Sequence, residues 1–146
     1  MKIESMEAFR LIGFQVQCEG ERYAVEIPRT ASLLRQRCSE IQGAIRPERF
    51  IGAFIVGEEP PEKDGYWIGV EAEPGSPVPE GMTDLAVPAR RYAVSRHDGD
   101  PASIRDTYAA LHAWMEAQGL ERDLTGWHLE ISTEGESPIE LYDTIR

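Results

Sequence analysis

Positive charge is scarce in this sequence of 146 residues, which has 15 Lys and Arg against 26 Asp and Glu and a formal net charge of -11 at pH 7. That balance argues against nucleic-acid binding, which needs a basic face, and against adhesion to an anionic membrane. It is compatible with a cationic ligand, because an acidic cleft attracts cations. It is equally compatible with surface acids that only keep a small protein soluble.

Cysteine and long apolar runs are also scarce. The two cysteines, Cys18 and Cys38, match no metal-ligand spacing, so we interpret them as reduced thiols of a cytoplasmic protein. No stretch approaches the ~18 consecutive apolar residues of a transmembrane helix. Residues 1–7 have neither the apolar region nor the cleavage site of a signal peptide. We expect no membrane association.

Several catalytic motifs are absent. The chain has no glycine-rich phosphate loop, no Gly-x-Ser-x-Gly elbow and no His-Glu-x-x-His metal motif. These absences count against nucleotide-dependent enzymes, triad hydrolases and zinc enzymes. We therefore expect no cofactor and no metal.

The pattern of apolar residues predicts one α+β domain over residues 1–146. Strands are predicted at residues 9–17, 50–57, 66–71, 87–97, 127–132 and 139–145, with residues 22–27 also extended. One helix is predicted to begin at Thr30 as N-cap and end at Gly43, and a second to begin at Asp100 and end at Gly119.

The order of these elements is strand, helix, strand, strand, and it occurs twice, in halves of about residues 1–80 and 81–146. We interpret this order as a coarse internal repeat. Two such units packed about a pseudo-twofold axis form one antiparallel sheet with two helices. They also leave a central crevice where the halves meet.

The predicted strand at residues 127–132 carries an acid among large apolar residues. Trp127 and Leu129 fall on one side of the pleat, and His128 and Glu130 fall on the other. A carboxylate in such a strand is either on a solvated face or held for a function. From the residues alone, both alternatives stay open.

A set of segments spread over the whole chain matches a known family in order and spacing. They are Tyr-Trp-Ile-Gly-Val-Glu at 66–71, Ala-Arg-Arg-Tyr-Ala-Val at 89–94, His-Asp-Gly at 97–99, the helix at 104–114, His-Leu-Glu-Ile at 128–131 and Glu-Leu-Tyr at 140–142. Together they resemble the GyrI-like small-molecule-binding domain, the effector-binding domain of AraC-type and MerR-type multidrug regulators.

The resemblance implies a duplicated fold with a pocket between its halves. It also implies that a glutamate of the penultimate strand lies in that pocket and meets cationic, aromatic drugs, and Glu130 matches this position. Two departures stand out. No helix-turn-helix segment precedes residue 1, so we expect a stand-alone module. The sequence Tyr-Asp-Thr-Ile at 142–145 lacks the hydrophobic residue and proline that commonly follow the tyrosine in the family.

The leading hypothesis is a binding module for amphipathic, cationic, aromatic small molecules, with a sensing or sequestering role. Glu130 is the expected counter-charge, and aromatic walls add cation–π attraction of about 0.5–2 kcal/mol each. The expected wall residues, each of which can alternatively belong to the core, are Trp67, Tyr92, Tyr108, Trp127 and Tyr142.

Two alternatives come from the same resemblance. Some stand-alone family members are hydrolases that open reactive cyclopropane rings. Glu130 would then act as general base, Glu71 as a possible second acid, and Trp67 and Tyr92 would position the substrate. The weaker alternative is a protein inhibitor of DNA gyrase, which only the acidic charge supports.

The histidines have plainer interpretations. His97, beside Asp98, is interpreted as a residue that caps a strand end and not as a proton shuttle. His112 lies off the apolar stripe of its helix and is expected to be exposed. His128 shares the strand face of Glu130, where it either tunes the pKa of that acid or is solvated.

Overall fold

The computed structural model describes residues 1–146 as one eight-stranded antiparallel sheet with two long helices packed on one face. The strands are β1 (Lys2–Met6), β2 (Phe9–Val16), β3 (Arg49–Phe54), β4 (Tyr66–Ala72), β5 (Thr83–Val87), β6 (Arg90–His97), β7 (His128–Thr133) and β8 (Glu136–Thr144). The helices are α1 (Tyr23–Arg37) and α2 (Ile104–Ala117). The predicted α+β class is confirmed.

The strand order reveals the duplication. It is β1-β6-β8-β7-β3-β4-β2-β5, so β2, α1, β3 and β4 are matched by β6, α2, β7 and β8, and the two sets meet where β3 pairs with β7. The predicted repeat of strand, helix, strand, strand is therefore present. Because β3 and β7 are antiparallel neighbours, the seam of the molecule is a continuous part of the sheet.

The two edge strands are exchanged between the halves. β1 precedes β2 in the chain but pairs with β6, and β5 precedes β6 but pairs with β2. Only two residues connect each strand to its successor, residues 7–8 and residues 88–89. Connectors of that length span at most about 11 Å. The sheet must therefore curl until its two edges approach each other.

Both faces of the curled sheet are buried. The face away from the helices holds a cluster that includes Trp67, Leu129 and Ile131. On the helix face, α1 packs through Leu34 on one cluster, and α2 packs through Leu111 on a second, separate one. No helix is long and apolar enough to cross a membrane.

The prediction for the start of α1 was wrong. Residues 23–27, expected to be extended, form its first turns, and Thr30, the expected N-cap, lies inside the helix. There its hydroxyl donates to the carbonyl oxygen of Glu26 at 2.8 Å. The sequence Pro-Arg-Thr at 28–30 is typical of a helix start. A proline is also found inside a helix when tertiary packing outweighs the hydrogen bond that it removes, and Pro28 lies inside α1.

Other boundaries differ by a few residues. The predicted strand 87–97 corresponds to β6, which begins three residues later, at Arg90. Val87 ends a separate strand, β5, that was not predicted, and Pro88, which cannot donate to a ladder, lies between the two. The helix expected to run to Gly43 ends at Arg37 and is followed by a short 3₁₀ turn. The carboxylate of Asp100 accepts the N–H of Ala102 at 2.9 Å, as expected of an N-cap. The turn that it caps is a 3₁₀ turn at Pro101–Ser103, however, and α2 begins after this turn, at Ile104.

A buried acid fastens α2 to β8. Asp143 is 1% exposed and accepts from Arg122 through Nε at 2.9 Å and Nη2 at 3.1 Å. It also bonds Nε2 of His112, on α2, at 2.8 Å. A buried carboxylate is stable only when such partners compensate its charge.

The Asp143→Asn substitution removes the negative charge of the buried carboxylate, so Arg122 and His112 lose their anionic partner. We expect the free energy of unfolding in urea to fall by about 3 kcal/mol, the lower end for a broken buried pair, since Arg122 and His112 are partly exposed. The matched control is Asp98→Asn, which breaks the exposed pair with Arg96 and is expected to leave the unfolding midpoint unchanged. Equal effects of the two substitutions would contradict this assignment.

Candidate functional site

The carboxylate of Glu130 is held between two phenols. Tyr66, from β4, donates to Oε1 at 2.7 Å, and Tyr108, from α2, donates to Oε2 at 2.5 Å. One tyrosine comes from each half of the fold, so this arrangement, the Glu130 clamp, bridges the seam. No nitrogen of Lys, Arg or His lies within 4.0 Å of the carboxylate. Hydrogen bonds alone compensate its charge, which leaves it open to a cation.

The pKa of each clamp phenol is raised above its ordinary value. Burial is the largest cause for both Tyr66 and Tyr108, and the negative charge of Glu130 and the hydrogen bond to it add to the effect. Both hydroxyls therefore keep their protons at neutral pH and remain donors. The carboxylate consequently has two fixed partners and a fixed orientation.

A cleft of about 380 Å³ opens over Glu130. Its apolar walls include Tyr23 and Ile27 of α1, and Phe54, whose ring stacks on Tyr66 with centroids 5.8 Å apart. Every lining residue except Glu130 comes from the first half, so the cleft lies to one side of the predicted midline. Such a cleft can hold a flat or globular aromatic group.

The cleft is acidic. Glu59 and Asp64, both on the connector between β3 and β4, line it, and no basic residue does. Burial, followed by the hydrogen bond with Asp64, raises the pKa of Glu59. With Glu130, the cleft has three carboxyl groups and no compensating cation, a pattern that favours positively charged ligands over anions.

The predicted site residues separate into two groups. Tyr108, expected as a wall of the pocket, donates to Glu130 from the α2 side and does not line the cleft. The other four aromatics lie on the opposite face of the sheet, in the cluster away from the helices: Trp67, Tyr92, Trp127 and Tyr142. They do not surround Glu130, because each alternates along its strand with the positions on the helix face.

These four aromatics contact one another in two edge-to-face pairs. The rings of Trp67 and Trp127 have centroids 5.2 Å apart, and those of Tyr92 and Tyr142 are 5.6 Å apart. Such geometry is typical of a packed core. The hydroxyl of Tyr142 donates to Glu4 of β1 at 2.6 Å and so ties the exchanged edge strand to the sheet.

Glu71, the possible second acid, is also away from Glu130. It pairs with Leu11 of β2, a member of the cluster on the far face, and shares its strand side with Trp67. The two acids therefore do not face the same space. No group of three or more His, Cys, Asp or Glu side chains is placed to hold a metal ion.

Three aromatic residues that shape the site were missed in the sequence, namely Tyr23, Phe54 and Tyr66. The sequence did contain a signal for Tyr66. Tyr66 and Trp67 point to opposite faces of their strand, as Glu130 and Trp127 do in theirs. Choosing between Tyr66 and Trp67 as the partner of Glu130 required the strand register, in which β3 lies between Tyr66 of β4 and Glu130 of β7. Tyr23 was hidden by the wrong extended assignment of residues 22–27.

His128 lies on the face of Glu130, as the alternation predicts, and it is not solvated. Its Nδ1 accepts the N–H of Thr144 at 3.1 Å, and its buried Nε2 has no partner. Burial lowers the pKa of His128 against the opposing effect of Asp143. The ring is therefore neutral at pH 7 and supplies no counter-charge to Glu130.

The other two histidines have structural contacts. His97 is buried and contacts Thr107 Oγ1 through Nδ1 at 2.6 Å and the carbonyl oxygen of Asp100 through Nε2 at 2.8 Å. It thus ties the end of β6 to the start of α2, in agreement with its interpretation as a capping residue. His112, expected to be exposed, is only partly so, because it bonds Asp143.

Comparisons with known proteins identify relatives of the chain. The sequence model of the GyrI-like small molecule binding domain matches residues 1–141. The transcriptional regulator BrlR of Pseudomonas aeruginosa is 39% identical over 83 residues, which are 56% of this chain and 30% of BrlR. The match therefore spans less than a third of that regulator's own length.

Two solved structures are similar across nearly the whole chain. SAV2435 bound to tetraphenylphosphonium has a TM-score of 0.70 at 12% identity, covering 99% of this chain and 93% of its own. EcmrR in a complex with DNA has a TM-score of 0.71 at 15% identity, covering 99% of this chain and 56% of its own. At such identities the two structures show a shared fold.

Alkaline pH is expected to destabilise the protein through the Glu130 clamp. The pKa of Tyr66 and Tyr108 is higher in the folded state than the unfolded value of about 10. Their contribution to stability is therefore complete below about pH 10 and is lost as pH rises above it. Urea unfolding between about pH 8 and pH 11 should show this loss.

The double variant Tyr66→Phe/Tyr108→Phe should lose less stability over the same pH range, because it has no clamp phenols to ionise. Tyr23→Phe is the comparison variant: burial also raises the pKa of Tyr23, but Tyr23 makes no bond to Glu130, so its removal should reduce the pH dependence less than removal of the two clamp phenols. An equally steep fall in the double variant and in the wild type would show that the clamp phenols do not cause the pH dependence.

Proposed function

The chain belongs to the GyrI-like small-molecule-binding domain family, and from this premise we propose that it binds amphipathic aromatic cations in the cleft over Glu130. One observation carries the proposal. A carboxylate without a basic partner lines an aromatic cleft, and its orientation is fixed before any ligand arrives. A bound cation completes the charge balance that the protein itself leaves open.

The energetics favour a lipophilic cation over other ligand classes. A unit positive charge about 4 Å from the carboxylate gains roughly 4 kcal/mol at the effective dielectric constant typical near a protein surface. The faces of Phe54 and Tyr66 add cation–π attraction and cover apolar surface. Because the charge of a lipophilic cation is spread over a large apolar body, its desolvation costs little. An anion would be repelled by the three carboxyl groups.

The fold neighbour SAV2435 is bound to tetraphenylphosphonium. That ligand belongs to SAV2435, and its chemistry fits the charge and the walls of the present cleft. It is an apolar aromatic body with one delocalised positive charge. We therefore use tetraphenylphosphonium as the first probe.

For the wider role, we propose ligand sensing or sequestration in the cytoplasm. BrlR is a transcriptional regulator, and EcmrR is seen in a complex with DNA. The acidic net charge of the chain does not suit direct DNA contact, so regulation would act through a separate DNA-binding element. Both cysteines are free thiols, as in a reducing compartment.

The hydrolase hypothesis is the second candidate. It retains Glu130 as a possible base near two phenolic donors, but Glu71 faces the other side of the sheet and cannot assist. Incubation with an electrophilic cyclopropane compound and mass spectrometry distinguishes the two. A hydrolysed product formed over many turnovers supports the enzyme, and stoichiometric binding without product supports the binding module.

The Glu130→Gln substitution should weaken tetraphenylphosphonium binding by about tenfold or more, which corresponds to roughly 1.4 kcal/mol. The glutamine keeps the shape of the side chain and removes its charge. Isothermal titration calorimetry provides the measurement.

The control for net charge is Glu116→Gln, on the exposed side of α2, which should bind like the wild type. If Glu130→Gln and the wild type bound the cation with equal affinity, the proposed electrostatic role of Glu130 would be contradicted. If the wild type did not bind tetraphenylphosphonium, the proposal that cations of this kind are the ligands would be wrong.

The position of the aromatic wall gives a separate prediction. Phe54→Leu removes a ring of the cleft and should lower tetraphenylphosphonium affinity by about threefold or more, in line with the loss of one cation–π contact. Tyr142→Phe alters an aromatic residue of the far face and should leave the affinity unchanged. The reverse ranking, measured by the same calorimetry, would place the ligand inside the curled sheet.

A further inference from the structure

Tyr66 reaches Glu130 by crossing a strand. Tyr66 is on β4 and Glu130 is on β7, with β3 between them. The residue of β3 that lies opposite Glu130 is Gly52, and on its other side Gly52 pairs with Ile68 of β4. The helix face of the sheet is therefore open at this one position of β3.

The phenol of Tyr66 fills that opening. A Cβ atom added at Gly52 would lie 1.8 Å from Oη of Tyr66, 2.4 Å from Cζ and 2.9 Å from Cε1. Neighbouring strands are about 4.8 Å apart, so β4 and β7 are separated by roughly 10 Å. A tyrosine bridges this distance only when its ring lies flat over the middle strand.

The backbone of Gly52 gives no other reason for a glycine. Its φ is not positive, and it has regular ladder partners on both sides. Glycine is otherwise a poor residue in the interior of a strand, since it loses more conformational entropy on folding than alanine and has no side chain to pack. The close approach of Tyr66 accounts for its presence.

We infer that Gly52 is a positioning residue of the cleft, because its missing side chain lets the phenol of Tyr66 dock on Glu130. Through Tyr66 it fixes the orientation of the carboxylate that faces the ligand. The part of this inference that concerns ligand affinity rests on the proposed function. The part that concerns Tyr66 does not.

Four proteins test the inference: wild type, Gly52→Ala, Tyr66→Ala and the double variant. In the wild-type background, Gly52→Ala should lower the thermal unfolding midpoint, because the new methyl group expels the Tyr66 ring. In the Tyr66→Ala background the same substitution should leave the midpoint unchanged or raise it, because no ring remains to expel. An equal loss in both backgrounds would overturn the positioning role.

Ligand binding gives the second measurement. Gly52→Ala should lower the affinity for tetraphenylphosphonium by about three- to tenfold, the effect of losing one hydrogen bond that orients the carboxylate. In the Tyr66→Ala background it should cause no further loss. Unchanged affinity of the single variant would overturn the role in binding. If the wild type itself does not bind the probe, the proposed function fails while the stability comparison still decides the role of Gly52.

A spectrophotometric titration of the tyrosines covers the case in which Tyr66→Ala does not fold. In Gly52→Ala, one more phenol than in the wild type should ionise near its ordinary pKa of about 10, because Tyr66 has left its buried site. An identical titration of the two proteins would show that the ring has not moved and would overturn the inference.

Discussion

A carboxylate without a cationic partner, at the seam of two half-folds, sets the requirements for the rest of this structure. Glu130 has two phenol donors and no cation, so each half must deliver one tyrosine to the same point. The first half does so over β3, where Gly52 leaves the path clear, and the second does so from α2. The orientation of α2 in turn depends on the buried contact of His112 with Asp143. A buried charge destabilises the fold unless its hydrogen bonds are kept. The bonds that keep Glu130 oriented for a ligand are therefore also needed for stable folding.

The curled sheet explains why one face serves as core and the other carries the cleft. Exchange of β1 and β5 between the halves draws the sheet edges together, and the enclosed face is filled by aromatic pairs such as Trp67 with Trp127. The helix face is divided between two clusters, one under each helix. The cleft over Glu130 opens beside the cluster of α1, and the long connector between β3 and β4 contributes two acidic lining residues, Glu59 and Asp64. A fold of two packed halves thus produces a partly apolar and strongly acidic recess without a dedicated extra element.

Much of the architecture was predictable from the sequence, because alternation and helical periodicity are local signals. The duplicated order of elements, the capping role of Asp100 and the position of Glu130 all came from such patterns or from the family resemblance that they support. The aromatic walls were not predictable in the same way. Both faces of the sheet are buried, so apolar character does not show which face the helices cover, and Tyr66 and Trp67 look equivalent until the register is known. β1 was missed because it is short and largely exposed, and its pairing with β6 is non-local.

The central claim is that a cation occupies the cleft on the helix face, next to Glu130. Tetraphenylarsonium is a close analogue of tetraphenylphosphonium, and its arsenic atom gives an anomalous signal in a crystal of the complex. We expect one arsenic peak within about 6 Å of the Glu130 carboxylate, the range over which opposite charges interact strongly, with Phe54 and Tyr66 against the phenyl rings. A peak inside the curled sheet, among Trp67, Trp127, Tyr92 and Tyr142, would contradict it.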